Sequence, residues 1–302
     1  MRRTRLSNSM KKEALWFYIC ISPWLIGFLI FTLGPMLFSL YFSFTDWNIF
    51  QKPHFIGFNN YIRLFTRDRV FPKALINTFY FAGISVPLSL FLATLLSALL
   101  NRKLKGMRWF RTIFYLPALI PAAAMSMIFL WVLAPNTGLL NQFLSVFGIK
   151  GPAWLLDAST VKPALIIMSL WSVGNNILLL LAGMQGIPHE LYEASKLDGA
   201  SAPQTFCKIT IPMLSPILFF NLVMGVIGGL QTFTQVYIMT AGGPNNASMM
   251  MVPYLFHHAF EAYRMGYASA IAWVLFLIIV GMTLIVFKSS SMWVFYESEV
   301  RK

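Results

Sequence analysis

Histidine, acidic and glycine residues would have to supply any acid–base, metal or nucleotide chemistry, and their spacing does not suit it. The run from His189 to Glu193 contains one histidine, whereas a zinc HExxH motif needs two on one helix face. His257 and His258 are adjacent and therefore point to different faces of a helix. The sequence has no GxxxxGK(S/T) phosphate loop, and no lysine directly follows a glycine. We predict no catalytic residue, no metal site and no cofactor on this chain.

Uncharged polar and aromatic residues inside long apolar stretches are the remaining candidates for chemistry. Such groups can hydrogen-bond an uncharged polar solute and pack against its apolar faces. The spacing i, i+4 would place Trp171 with Asn175, and Gln231 with Gln235, on one helix face. The candidates are Trp171, Ser172, Asn175, Asn176, Gln231, Thr232 and Gln235. The same groups could instead hydrogen-bond one membrane helix to another, and both interpretations stay open.

These candidates lie in a chain that is too apolar for an ordinary water-soluble globule. Of its 302 residues, 58% are hydrophobic and 11% are charged, against roughly half and a quarter in a typical soluble domain. Six apolar runs are long enough to cross a bilayer as helices, and none contains a charged residue. The predicted spans are 15–44, 74–100, 112–133, 163–183, 217–239 and 267–287. We predict an all-α polytopic membrane protein with six transmembrane helices.

Other local features refine this arrangement. The first span follows basic residues, as a secretory signal would, but it is too long and lacks a small-x-small cleavage site, so we expect a retained anchor. Gly225 and Gly229 have the GxxxG spacing that admits a close neighbour, expected to be the fourth span or a partner subunit. The short apolar runs 139–149 and 249–260 are expected to be interfacial or re-entrant helices, and the loop 45–73 an interfacial amphipathic helix.

The basic residues determine the expected orientation. The chain has 23 Lys+Arg against 10 Asp+Glu, a net charge of +13. On a soluble protein this excess would raise nucleic acid as a partner, but here the basic residues flank apolar spans, so we predict a lipid bilayer and no nucleic acid. Fifteen of the 23 basic residues fall on the side of the two termini. The positive-inside rule therefore places both termini in the cytoplasm.

The cytoplasmic segment 185–212 has the signals of two short helices. Pro188 is suited to begin the first, Glu190 and Glu193 lie in its first turns, where the helix dipole favours acids, and Gly199 is suited to end it. A second short helix is expected over 203–209, before Pro212. The two would form a compact protrusion, called here the cytoplasmic knob.

The knob resembles the EAA loop of membrane subunits of ATP-binding cassette (ABC) importers. The resemblance rests on Glu193-Ala194-Ser195, then Gly199, then Ile209-x-Ile211-Pro212, with Ser195 and Ile211 replacing the family's usual Ala and Leu. The motifs Ile56-Gly57-Phe58-Asn59-Asn60-Tyr61 and Thr240-Ala241-Gly242-Gly243-Pro244 are similar to the carbohydrate branch, the maltose-type and glycerol-3-phosphate-type permeases. The similarity covers most of the chain.

This resemblance implies a fold, a location and a set of partners. The fold would be the MetI-like type I permease, with a cytoplasmic N-terminus over 1–13, a permease domain over 14–287 and a cytoplasmic C-terminus over 288–302. The location would be the bacterial cell membrane. The partners would be a second homologous permease, an ABC ATPase dimer that binds ATP and Mg, an extracytoplasmic solute-binding protein and a sugar.

The resemblance also implies roles for individual residues. Seven would couple the chain to the ATPase: Glu193, Ala194, Ser195, Asp198, Gly199, Ile209 and Pro212. Gly242, Gly243 and Pro244 would face the solute-binding protein, and the polar residues named above would line the pathway of a neutral sugar. The alternative function is a secondary carrier or a channel for a small polar solute. Against it, the spans hold no charge for proton coupling, and the knob has no role in either.

Overall fold

The computed structural model describes residues 8–102 and 104–295, with side chains from residue 12 onward, and the regular secondary structure of this part is helical apart from one isolated bridge between Thr45 and Phe55. Arg2, Arg3, Arg5, Lys103, Arg301 and Lys302, which the charge count used, lie outside the described residues. The helices are α1 (Asn8–Phe28), α2 (Gly34–Ser43), α3 (Asn59–Thr66), α4 (Phe71–Leu100), α5 (Met107–Tyr115), α6 (Ala122–Val132), α7 (Leu139–Val146), α8 (Val161–Trp171), α9 (Gly174–Gln185), α10 (His189–Leu197), α11 (Ala202–Thr205), α12 (Ile211–Leu230), α13 (Thr234–Met239), α14 (Met251–Phe256) and α15 (Met265–Ser290).

Four helical stretches are long and apolar enough to cross a membrane without a sharp bend: Lys12–Ser43, Phe71–Leu100, Ala202–Met239 and Met265–Ser290. Two bent pairs supply the other spans, one of α5 with α6 and one of α8 with α9. The described residues therefore give six spans when each bent pair counts as one, as the sequence predicted.

The third span is bent by 100° rather than straight, which the sequence did not predict. The bend falls at Ile120 and Pro121, whose backbones are extended, with ψ of 127° and 140°. Pro121 cannot donate a helical hydrogen bond and disfavours a helical residue before it. The proline thus divides the span into two helices.

The fourth span breaks at Ser172 and Val173, with a bend of 46°. Gly174 begins the second half, and a Cβ there would lie 2.9 Å from the Phe114 carbonyl oxygen and 3.0 Å from the Ala118 Cβ. Only a glycine lets the third span approach so closely. Because the helix is broken here, the prediction that Trp171 and Asn175 share one helix face was wrong.

The fifth span also departs from the expected pattern. The sequence predicted a short helix that ends before Pro212, and this was wrong. The helix instead continues from α11 through a π-helical turn (Phe206–Thr210) into α12. In this turn the Ile211 N–H donates to the Phe206 carbonyl, five residues back instead of the four of an α-helix. The next residue, Pro212, has no N–H to donate. The same span breaks between α12 and α13, so Gln231 and Gln235 do not share a continuous helix face, contrary to the prediction.

The second span, α4, is the centre of the packing, against α8, α9, α12 and α14. A Cβ on Gly225 would meet the Val86 side chain at 2.8 Å, and one on Gly229 would meet the Ala82 Cβ at 3.1 Å. The GxxxG pair therefore packs against the second span, and the expectation of the fourth span or a partner was wrong. Small residues at a crossing allow two membrane helices to approach closely.

The first span packs differently along its length. No residue of its most apolar stretch is buried within the chain, whereas α2 packs against α15. At that contact Gly266 donates its N–H to the Trp47 carbonyl, 3.0 Å away. The short apolar runs 139–149 and 249–260 contain the helices α7 and α14, and their interfacial or re-entrant placement stays a prediction. Within the loop 45–73 helix is limited to α3 and to the first residues of α4, from Phe71.

Candidate functional site

A cavity of about 430 Å³, called here the central cavity, opens between the second, fourth and fifth spans. No ionisable side chain is found among the described residues that line it. They are Phe81, Ser85, Val86, Ser89, Leu90, Ser169, Ser172, Asn176, Asn221, Gly225, Gly228, Gly229, Thr232 and Gln235. The lining of hydroxyls, amides and small apolar groups suits an uncharged polar ligand.

Both helix breaks open onto the central cavity. Ser172 lies at the break between α8 and α9, and Thr232 at the break between α12 and α13, and both line the cavity. Non-helical backbone at membrane depth is tolerated where it lines a cavity or is buried in protein, because its polar groups must find partners. The breaks thus place polar backbone and side chains at the same opening.

Four of the seven predicted pathway residues line the central cavity: Ser172, Asn176, Thr232 and Gln235. The other three, Trp171, Asn175 and Gln231, are exposed and are absent from its lining. The Asn176 amide also donates to the Ser89 hydroxyl at 3.2 Å and so ties the fourth span to the second. Asn176 therefore joins two helices and also lines the cavity, and its contact with a solute stays a prediction.

The sequence predictions missed four polar residues of the lining: Ser85, Ser89, Ser169 and Asn221. Asn221 is only 4% exposed, and its amide donates to the Ile217 carbonyl at 2.9 Å. A signal for two of these residues was present. Ser85 and Ser89 follow Phe81 at intervals of four, which places them on one face of α4. Asn221, Gly225, Gly228 and Thr232 likewise form a polar and small-residue stripe along α12 and its end.

The cytoplasmic knob begins with α10, whose ends are those predicted. Pro188 precedes the helix, and Gly199 follows it in the left-handed region with φ of 73°. The Ala200 N–H bonds to the Ser195 carbonyl at 2.9 Å, and the Gly199 N–H to the Lys196 carbonyl at 3.1 Å. These bonds satisfy carbonyls that the end of a helix leaves open, and glycine adopts this conformation without strain.

The rest of the knob folds back onto α10. Ser201 and Gln204 form a capping box at the start of α11, with the Ser201 N–H donating to the Gln204 side chain at 2.8 Å. The hydroxyls of Tyr192 and Thr210 lie 3.1 Å apart and join α10 to the π-helical turn. Below them Met184, Ile187 and Leu214 form a buried apolar cluster. The knob is therefore fixed to the fifth span.

Predicted coupling residues differ in their access to a partner. Ser195, Asp198, Gly199 and Ile209 line a cleft of about 460 Å³ on the knob. Glu193 and Ala194 are exposed on α10, whereas Ser195 is buried and Pro212 half-buried within the continuing helix. Leu197 was not predicted. It is an apolar side chain at the end of α10 that is 89% exposed, and sequence alone does not reveal such exposure.

The loop with Gly242, Gly243 and Pro244 is tightly packed. Gly242 is buried with φ of 84°, and a Cβ there would lie 2.3 Å from the Met249 Cε. The Ser248 hydroxyl donates to the Gly243 carbonyl at 2.6 Å. The Asn77 amide, at the start of α4, donates to the Asn246 and Met249 carbonyls, each at 3.0 Å. This loop is thus held against the second span.

Comparison with known proteins identifies relatives along almost the whole chain. Residues 85–290 match the family model described as "Binding-protein-dependent transport system inner membrane component". The chain is 42% identical to the "Probable ABC transporter permease protein YesP" of Bacillus subtilis, over 97% of this chain and 96% of that one. It is 31% identical to the "Trehalose/maltose transport system permease protein MalF" of Thermococcus litoralis, over 94% and 96% of the two chains.

A solved structure has the same fold. It belongs to a bacterial ABC transporter involved in the import of the acidic polysaccharide alginate, and the superposition gives a TM-score of 0.83 at 25% identity. The match covers 93% of this chain and 96% of the other.

Proposed function

This chain belongs to the family of binding-protein-dependent transport system inner membrane components, and from that premise we propose that it forms half of the translocation pathway of an ATP-driven sugar importer. As an ABC importer permease it is a multi-pass protein of the bacterial membrane and a transport component rather than an enzyme. The secondary carrier or channel considered from the sequence has no place in this family.

The composition of the central cavity is the observation that supports a neutral sugar as the solute. A sugar presents hydroxyls to amides and hydroxyls, and its ring faces to apolar groups. The cavity offers amide groups from Asn176, Asn221 and Gln235. It offers apolar groups from Phe81 and Val86. An acidic sugar would favour a basic residue in the pathway, and none is among the described lining residues.

Coupling to ATP is proposed to occur through the segment 185–212. A separate ATPase dimer would bind ATP and Mg and receive the knob, with Glu193, the Gly199 cleft and the exposed Leu197 as contacts. Closure of that dimer would rock this chain against a second, homologous permease. This role requires both termini and the knob in the cytoplasm, as the division into 1–13, 14–287 and 288–302 proposes.

The solute-binding protein is proposed to dock on the opposite side, near Gly242, Gly243 and Pro244. Gly242 is buried, so contact there would come from its exposed neighbours Ala241 and Asn245. Both of these residues have positive φ, of 47° and 48°, and the packed loop holds them in place.

Uptake of labelled sugars by vesicles that contain this chain with its partner chains tests the proposal. We expect neutral oligosaccharides to be taken up in preference to uronates, and Glu193→Lys or Gly199→Asp to abolish uptake with normal membrane insertion. Gly148→Asp is the matched control, because Gly148 has φ of 74° and open surroundings, like Gly199 at 73°, but lies on the outer side. Normal uptake in both knob variants would contradict the coupling role, and preferred uptake of uronates would contradict a neutral solute.

A further inference from the structure

The helix α3 and Phe58, which directly precedes it, have an apolar face that the described residues leave more than half exposed. Asn60 and Leu64 form its buried face, and the Asn60 amide donates to the carbonyls of Ser43 and Thr45, at 2.9 and 2.7 Å. Phe58, Ile62 and Phe65, spaced by four and three residues, are 67%, 53% and 62% exposed. An apolar stripe on a short helix at the end of a span is typical of a helix lying in the membrane surface.

Beside this stripe is a pocket of about 430 Å³ with three arginines in its lining, called here the arginine pocket. Arg63 and Arg67 lie four residues apart on α3, and Arg264 directly precedes α15. The Arg63 guanidinium lies over the Tyr267 ring, 5.3 Å from its centre, a contact that orients a cation. Ile62 also lines the pocket, so the apolar stripe and the arginines adjoin each other.

No described acidic side chain pairs with these arginines, although Asp68 is close in sequence. The Asp68 carboxylate instead accepts the hydroxyls of Tyr254 and Tyr267 on one oxygen. Its other oxygen accepts the N–H groups of Val70 and Phe71, at 2.8 and 3.0 Å. Burial acts to raise the pKa of Asp68, but these four hydrogen bonds outweigh burial and hold the pKa below its ordinary value. Asp68 is therefore ionised but fully engaged with neutral donors.

The other acid near the arginines is also engaged. Asp46 lines the pocket, and one of its oxygens accepts the His54 N–H at 3.0 Å. Within the part of the chain that the structure describes, Arg63, Arg67 and Arg264 have neither an ion pair nor a side-chain hydrogen bond. The described pocket lining thus carries three guanidinium groups against the single carboxylate of Asp46, an excess of positive charge.

The geometry points to a site for the phosphate of an anionic phospholipid, and we propose that the arginine pocket binds that headgroup while its acyl chains cover the stripe of Phe58, Ile62 and Phe65. Guanidinium groups are suited to phosphate because they offer several N–H donors in a planar fork. The site lies where the segment after the first span meets the start of the last span, through the Gly266 N–H and the Trp47 carbonyl. Ends of membrane spans lie close to the lipid headgroups. An acidic side chain of a partner would account for the arginines but not for the adjoining apolar stripe.

Lipid titration of the full-length chain by native mass spectrometry tests this site. The probes are phosphatidylglycerol and phosphatidylcholine with identical acyl chains. We expect phosphatidylglycerol to bind at least about tenfold more tightly than phosphatidylcholine. Removal of each arginine should weaken the affinity for phosphatidylglycerol about fivefold. The variants are Arg63→Gln with Arg67→Gln, and Arg264→Gln alone on another element. Arg69→Gln is the matched control, since Arg69 is exposed in the same loop and is absent from the pocket lining.

Each possible outcome bears on the proposal. Selective loss of phosphatidylglycerol in the pocket variants, with Arg69→Gln unchanged, supports it. Equal affinity for the two lipids, or undiminished phosphatidylglycerol binding in Arg264→Gln and in the double variant, overturns it. Glycerophosphoglycerol, the headgroup without acyl chains, is the competitor that shows whether the bound phosphate belongs to a lipid or to a soluble molecule. If it bound as tightly as phosphatidylglycerol, the site would be one for a soluble anion, and the proposal would be overturned. If the pocket variants kept lipid binding but the solute-binding protein stimulated ATP hydrolysis by the assembled importer less, the pocket would be assigned to a protein partner. This result would also overturn the proposal.

Discussion

The crossing of α4 and α12 sets the width of the central cavity, and one methyl group at Gly225 tests it. In Gly225→Ala the new Cβ would lie 2.8 Å from one Val86 methyl and 3.7 Å from the other. Ordinary contact begins at 3.4 Å, so the helices or the valine must move by about 0.6 Å. Val86 is 7% exposed and β-branched, and it has few alternative rotamers in a helix.

Gly228→Ala is the matched control for this substitution. Gly228 lies on the same helix and lines the same cavity, but a Cβ there would have nothing within 4 Å. Replacing glycine by alanine within a helix stabilises it by about 1 kcal/mol, and this gain is common to both variants. Overpacking costs about 1–3 kcal/mol. We therefore expect Gly225→Ala to be less stable than Gly228→Ala by about 1–3 kcal/mol.

The assay is thermal unfolding of the purified chain, together with solute uptake by the assembled importer. Val86→Ala removes the methyls that would clash, so the double variant Gly225→Ala/Val86→Ala should recover most of the stability lost in Gly225→Ala, with a coupling of about 1–2 kcal/mol. Equal unfolding midpoints for Gly225→Ala and Gly228→Ala, or no recovery in the double variant, would refute the proposed contact.

Two further predictions concern neighbouring amides and a half-buried histidine. Asn176→Ala should raise the KM for sugar uptake severalfold while Asn175→Ala leaves it unchanged, because only Asn176 lines the cavity; equal kinetics would contradict this. Burial and, secondarily, repulsion by His257 lower the pKa of His258 to about 4, below its usual value of about 6.5. The unfolded chain therefore takes up a proton before the folded chain does, and stability should fall as the pH falls from about 6.5 to about 4. His258 Nδ1 is buried without a hydrogen bond, and the ring lies edge-on to that of Tyr254, so His258→Phe should keep the packing and flatten this part of the pH profile of the unfolding midpoint.

Local signals in the sequence predicted the spans and the shape of α10. A helix in lipid must satisfy its own backbone, so the number of spans depends on runs of apolar residues and not on distant contacts. Pro188 and Gly199 act on the residues beside them, and so α10 begins and ends where the sequence predicted. The family resemblance was equally local, since it rests on residues at fixed spacing within short motifs.

The position of the breaks within the spans could not be predicted from the same signals. Proline does not predict the breaks reliably. The third span bends at Pro121, yet the fifth span continues through Pro212, and the break beside Gly174 has no proline. That break accompanies the close approach of the Phe114 backbone, which is sixty residues away. Helical periodicity assumes an unbroken helix, and so the pairings of Trp171 with Asn175 and of Gln231 with Gln235 failed.

What the sequence determined by itself is therefore the content of the protein: its helices, its membrane location and its resemblance to a family. Tertiary structure alone decided which residues meet. It brought Ser85 on α4 to Asn221 on α12 at the central cavity, and Arg63 to Arg264 at the arginine pocket. The physical reason is that hydropathy and turn signals act between residues close along the chain, whereas a cavity depends on crossings between helices that are far apart in sequence.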